Sequence, residues 1–167
     1  LRLEANLTYH DPQRGVAVIQ DDTGAIAFSV PEGTAVRAGQ RIQLSGTLPS
    51  QYDPSVPLPL SLENPALTIL QNQVPLAARK ITVSELRNGF EPLRFEIVGV
   101  VKAAGEEDGR MVLDVAGDGI SLSVDVVMAE LTELSKLIDA KVALRGVRFV
   151  RAAPEFTWML LVSGLDD

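Results

Sequence analysis

The side chains able to do chemistry are few and scattered along the chain. His10 is the only histidine. It sits in a turn beside Asp11-Pro12, and an imidazole acts as a general base or a metal ligand only when partners are positioned around it. No partner is implied by the spacing, so His10 reads as a turn residue. Asp21 and Asp22 offer oxygens that hard cations favour. They lack the ligand spacing of a calcium loop, and their place before Thr23-Gly24 suits carboxylates that bond backbone amides in a turn. Glu106-Glu107-Asp108 precedes Gly109 at what reads as a solvated hairpin tip. There is no cysteine, which excludes disulfides, thiolate catalysis and thiolate metal sites. No glycine-rich phosphate loop opens a helix. The expectation is a chain that is not an enzyme, with no catalytic residue, metal or cofactor. If a small ligand is bound, Tyr9, His10 and Tyr52 are the candidates, each combining a flat body with a polar tip in or beside a loop.

Charge narrows the partners. The 167 residues carry a formal charge of −7 with a pI near 4.7. Residues 1–80 hold 6 Lys+Arg against 7 Asp+Glu, and residues 81–167 hold 9 against 15. A phosphate-binding surface needs a local excess of cations, so neither nucleic acid nor an anionic membrane is expected as a general partner. A cluster of Arg145, Arg148 and Arg151 stands near the end of the chain and reads as solvated or paired. No apolar run approaches the roughly 18 residues of a membrane span. The chain starts inside a strand-like alternation without Met, as an excised piece of a larger protein would, leaving flanking membrane or effector segments out of view.

The elements that must position these groups are strands. Leu1, Leu3, Ala5, Leu7 and Tyr9 alternate with polar residues, the pattern of a sheet with one wet face. Val16 to Val30 reads as two strands joined by Asp21-Asp22-Thr23-Gly24. Ile42 and Leu44 mark a fourth strand within Gly39–Gly46, and Leu67–Leu70 a short fifth. Between these last two, Pro49, Pro54, Pro57 and Pro59 force a surface excursion. Thr82-Val83-Ser84-Glu85 has the spacing of a capping box and Gly89 could end a helix of about two turns.

The pattern then restarts. Phe95, Ile97, Gly99 and Val101 fall 94 positions after Leu1, Leu3, Ala5 and Leu7, and Gly109 falls 94 after Gly15. At the same offset Leu113 answers Ile19 and Ile120 answers Ile26. Val142, Leu144 and Gly146 follow Ile42, Leu44 and Gly46 by 100. The six extra residues coincide with Met128–Ile138, whose apolar residues recur at helical spacing and read as core packing. The predicted fold class is therefore mainly β: two tandem OB-fold-like five-stranded barrels. A short linker helix lies between them, and a second helix lies between strands 3 and 4 of the later barrel. The expected boundaries are barrel 1 over 1–74, linker over 75–92 and barrel 2 over 93–167; a single β-sandwich is the alternative.

Three stretches, Asn6–Pro12, Ile19–Ile26 and Gly39–Gly46, resemble the first unit of tandem OB-like sensory regions found outside the cytoplasmic membrane in bacterial sensor histidine kinases and related signalling proteins. Phe95–Val101 and Leu137–Val147 resemble the second unit. The resemblance implies a non-catalytic periplasmic input module, part of an inner-membrane protein, that signals to a kinase or cyclase. It implies an unspecified small ligand or periplasmic protein as partner, effector domains in the same longer chain, and no particular ligand identity. The second hairpin departs from the first, with Val115-Ala116-Gly117-Asp118-Gly119 in place of Asp21–Ala25. The alternative is an OB-fold protein that binds single-stranded nucleic acid, a mode that wants aromatic platforms on the second and third strands in a basic groove. Phe28 alternates as a core residue and its counterpart is Leu122.

Overall fold

In the computed structural model, residues 1–51, 53, 59–127, 134–152 and 156–164 are described, the side chains of Ala152 and Phe156 excepted. Tyr52, part of the proline-rich excursion (54–58), and residues 128–133 lie outside them. The chain divides into two compact units, Leu1–Ala77 with Glu91–Leu93, and Ala78–Phe90 with Arg94–Asp167.

The first unit is a five-stranded sheet in the order β3-β2-β1-β4-β5. Its strands are β1 (Arg2–Asp11), β2 (Val16–Gln20), β3 (Ala25–Ser29), β4 (Arg41–Thr47) and β5 (Glu63–Gln71). The alternation read from the sequence holds through Leu7: Ala5, Leu7, Ala17, Ile19, Phe28, Val30, Ile42, Leu44 and Leu60 form the core, with Leu3, Ile26 and Leu67 packed against it. Leu60 makes a parallel bridge to Phe28 and exchanges backbone hydrogen bonds with Ala27 and Ser29.

The second unit contains a closed barrel of five strands. These are β7 (Arg94–Glu107), β8 (Arg110–Gly117), β9 (Ile120–Val126), β10 (Lys141–Ala152) and β11 (Phe156–Val162). Neighbours run β9-β8-β7-β10-β11, and β11 returns to β9 in parallel. The two-residue strand β6 (Arg79–Lys80) adds to β7. Phe95, Ile97, Val101, Leu113, Val115, Leu122, Val124 and Leu160 are all buried. Closure removes the open strand edges that a sheet otherwise presents to solvent.

The repeat is visible as matching irregularities. A bulge falls between Leu7 and Tyr9 in β1 and another between Val101 and Ala103 in β7, again 94 positions on. Gly15 and Gly109 both turn their hairpins with positive φ, +61° and +73°, a conformation glycine adopts without steric cost. Ala5 pairs with Ile42 and Gly99 with Val142, which fits the offset of 100 in the fourth strands. The hairpin offset is different from the expected one. Leu7 faces Ile19 but Val101 faces Val115, so β8 and β9 sit 96 rather than 94 positions on. The second hairpin turns on two residues, Asp108-Gly109, where the first uses four. A slip of two residues keeps every side chain on its face.

The helices expected from the sequence are not found among the described residues. The capping box does form, Glu85 accepting from the Thr82 amide at 2.8 Å while the Glu85 amide donates to Thr82 Oγ1 at 3.2 Å. It caps only a single 3-10 turn, Glu85–Arg87, because the backbone leaves the helical region at Asn88 (ψ 79°) and Gly89 (φ +125°), where Asn88 O accepts from Arg148 and Gly89 O from Trp158. The other expected helix falls partly on 128–133, outside the described residues, and its end is a second 3-10 turn, Leu134–Leu137.

Candidate functional site

Of the three ligand candidates, Tyr9 and His10 lie among the described residues. The bulge in β1 places Tyr9 opposite Val18, off the core cluster, and Tyr9 is 1% exposed. Alternation alone had put it on the core side with Leu7. His10 is half-buried opposite Ala17. Desolvation lowers its pKa below the ordinary 6.5, while a hydrogen bond to the Val36 backbone and the neighbouring Asp11 pull the other way. Tyr52 lies outside the described residues.

The carboxylates singled out in the sequence hold turns. Asp21 Oδ1 accepts from the Thr23 amide at 2.7 Å, from Thr23 Oγ1 at 2.6 Å and from the Gly24 amide at 3.2 Å. The Thr23 hydroxyl, then the Thr23 amide, holds its pKa below the usual carboxylate range. Asp11, fully buried, accepts from the amides of Gln13 and Arg14. Among the described residues no three His, Asp or Glu side chains converge as metal ligands do. A hollow of about 220 Å³ beside the Asp21 turn is lined by Leu3, Ile19, Thr23 and Ile26.

The arginine cluster near the end of the chain is not a patch. Arg148 is buried, its guanidinium 5.0 Å from the centre of the Phe95 ring and donating to Asn88 O at 2.9 Å. Arg145 is exposed and donates to Glu96 at 2.6 Å. Arg110 and Asp125 form a second buried pair at 2.6 Å, each 2% exposed. Arg110 and Arg148 serve the barrel rather than its surface, whereas Arg145 stands on the outer wall.

Two stretches of the second unit's outer wall differ sharply in charge. Over β7, β8 and β9 runs an open groove of about 560 Å³, floored by Ala103, Ala104, Val112, Ser121 and Ser123 and flanked by Glu106, Glu107 and Asp114. Among the described residues it is lined by no cation and no aromatic ring. Over β6, β7 and β10 the wall is basic. Register places Lys80 and Arg145 on either side of Glu96, then Ala143 beside Val98, then Lys141 beside Val100. Lys80 and Arg145 side chains are 83% and 51% exposed, Glu96 is 11% exposed between them, and Val98 is an exposed hydrophobic. The hydrogen bond from Arg145, followed by Lys80, holds the Glu96 carboxyl below the usual carboxylate range. Three cations against one carboxylate leave this wall net positive in an acidic chain. Sequence order hid it, because the cations come from two strands, β6 and β10, that meet only through their pairing with β7.

No family model matches the chain, and no curated protein does. Solved structures align with nearly its whole length. A murine DNA-binding protein bound with double-stranded DNA is 13% identical, with 98% of this chain and 94% of that one covered and a TM-score of 0.46. The tetrameric p202 HIN2 is 15% identical, with 98% and 89% covered and a TM-score of 0.43. The Replication Protein A heterotrimer bound to single-stranded DNA is 11% identical, with 99% of this chain and 50% of that one covered and a TM-score of 0.40.

These findings correct the expectation of a periplasmic sensory region. Of these three, two are proteins bound to DNA, and no bacterial sensor is among them. The histidine-kinase or cyclase input, the signal-transduction role and the extracytoplasmic location fall with it, as do the periplasmic partner and the expectation of no nucleic acid. The physical reason lies in the residues that carried the resemblance. Leu7, Ile19, Ile42 and Leu44 are core, and Gly39 turns at φ +87°. Such positions report a small β-barrel and name no compartment. Among the described residues no helix is long and apolar enough to cross a membrane.

Proposed function

We propose that the chain is a tandem pair of OB-like barrels, one in each compact unit, that acts without catalysis and binds single-stranded nucleic acid on the basic wall of β6, β7 and β10. The tandem reading is supported by the shared strand order, the bulges repeated at one offset, and the bridge from β3 to Leu60, just ahead of β5. The ligand reading is carried by one observation, the gathering of Lys80, Lys141 and Arg145 on one wall around exposed Val98.

OB-folds commonly bind oligonucleotides on the face of their second and third strands. In the second unit that face is the β8–β9 groove, and Glu106, Glu107 and Asp114 would repel phosphates there. The basic wall offers phosphates a counter-charge and bases an apolar surface. The test is fluorescence anisotropy of a labelled oligo-dT strand with the full chain at low salt. Saturable binding is expected, weakened on the order of 10-fold by the double variant Lys80→Ala/Lys141→Ala. Binding unaffected by that variant, or absent at low salt, overturns the reading.

A further inference from the structure

The segment from Leu86 to Phe90 is clamped onto the barrel at several points. Leu86 is fully buried. Arg148 donates to Asn88 O at 2.9 Å, and Trp158 Nε1 donates to Gly89 O at 3.0 Å. Gly89 has φ +125°, and a Cβ there would stand 2.9 Å from the Arg148 guanidinium. The backbone that carries Phe90 is therefore fixed from below. Phe90 itself is 51% exposed, and its ring lies 5.9 Å from that of Trp158 at a tilt of 37°. An aromatic ring held on a rigid support with half its surface in water is a preformed contact surface, since little side-chain freedom is lost when something covers it.

Charge identifies what covers it. Arg148 stacks on Phe95, and the neighbours of Phe95 in the sheet are Arg79 and Gly146, one residue from Lys80 and Arg145 respectively. Arg87, exposed, precedes Phe90 in the same clamped segment. The flat apolar surface thus sits on a segment that one arginine, Arg148, holds and another, Arg87, belongs to, which suits a ligand with π-faces and negative charge.

We infer that Phe90, backed by Trp158, is the seat on which one base of the bound strand stacks. This rests on the nucleic-acid reading above and adds a residue that the sequence pattern did not reveal: Phe90 lies outside both repeats. Trp158 is the only tryptophan, so its fluorescence reports on this seat alone. The experiment titrates the full chain with oligo-dT, following Trp158 emission and, separately, anisotropy of the labelled strand, for the native chain, Phe90→Ala and Phe90→Tyr. The expected result is quenching of Trp158 on binding, an affinity lower on the order of 10-fold in Phe90→Ala, and restoration to within about twofold in Phe90→Tyr. Equal affinity of native and Phe90→Ala chains, with the strand still bound, overturns the seat and leaves the basic wall standing. Absence of binding by any of the three removes the nucleic-acid reading and the seat together. A Trp158 signal that responds to an added protein but not to oligo-dT assigns the surface to a protein partner and refutes the inference.

Discussion

Replacing Arg110 by Met is expected to be among the costliest single changes to the second unit. The Arg110 guanidinium lies 2.6 Å from Asp125 and both side chains are 2% exposed, so the variant strands a carboxylate in the barrel wall. Removing one partner of a buried ion pair costs about 3–5 kcal/mol, because the remaining charge stays desolvated without compensation. With an m-value of about 2 kcal/mol/M in urea, a loss of about 4 kcal/mol moves the midpoint down by about 2 M. The assay is urea unfolding of the full chain followed by Trp158, which belongs to the second unit. The double variant Arg110→Met/Asp125→Leu removes both charges and keeps apolar volume. It is expected to lie within about 1 kcal/mol of the native chain, recovering about 3 kcal/mol of the single variant's loss. A single variant that costs under about 1 kcal/mol, or a double variant that costs more than the single, refutes the reasoning.

Other changes follow from the same geometry. Gly146→Ala places a Cβ 2.4 Å from Leu161 O and 2.9 Å from Leu160 Cγ; a loss of about 3 kcal/mol is expected in thermal unfolding, whereas Gly105→Ala, with nothing within 4 Å, should stay within about 0.5 kcal/mol. Asp21→Ala removes three hydrogen bonds from an exposed turn and should cost about 1 kcal/mol by urea unfolding, with Asp21→Asn retaining part of the loss. Burial lowers the His10 pKa in the folded chain, so between the folded and unfolded values the unfolded chain binds more protons. The contribution of His10 to stability is therefore full above pH about 6.5 and is lost as pH falls through the lower, folded pKa. An NMR titration showing the His10 ring titrating above 6.5 contradicts this.

Much of the architecture was legible because barrel strands repeat a period of two and their turns need particular residues. Ile42 and Val142 could be aligned from sequence, and both pair where the offset of 100 places them. Features that arise from pairing were not legible. A single extra residue at the bulge, Thr8, moves Tyr9 to the other face of β1, and nothing in local composition announces it. Arg145 and Arg148 are three apart in sequence, yet one is on the outer wall and the other is buried against Phe95. Thr82 and Glu85 make the capping box that their spacing promised, but the helix stops after one turn because the backbone leaves the helical region at Asn88 and Gly89. The basic wall needed the register of β6, β7 and β10 to become visible. Phe90 stood in what read as a linker, with no partner in either repeat.

The central claim is that cations on the β6–β7–β10 wall hold phosphates, and its most direct test is the salt dependence of oligo-dT binding by the native chain. Three cations engaging a single strand predict that log Kobs falls against log salt with a slope of about −2. A slope near zero would mean that any binding occurs without that wall and would contradict the account.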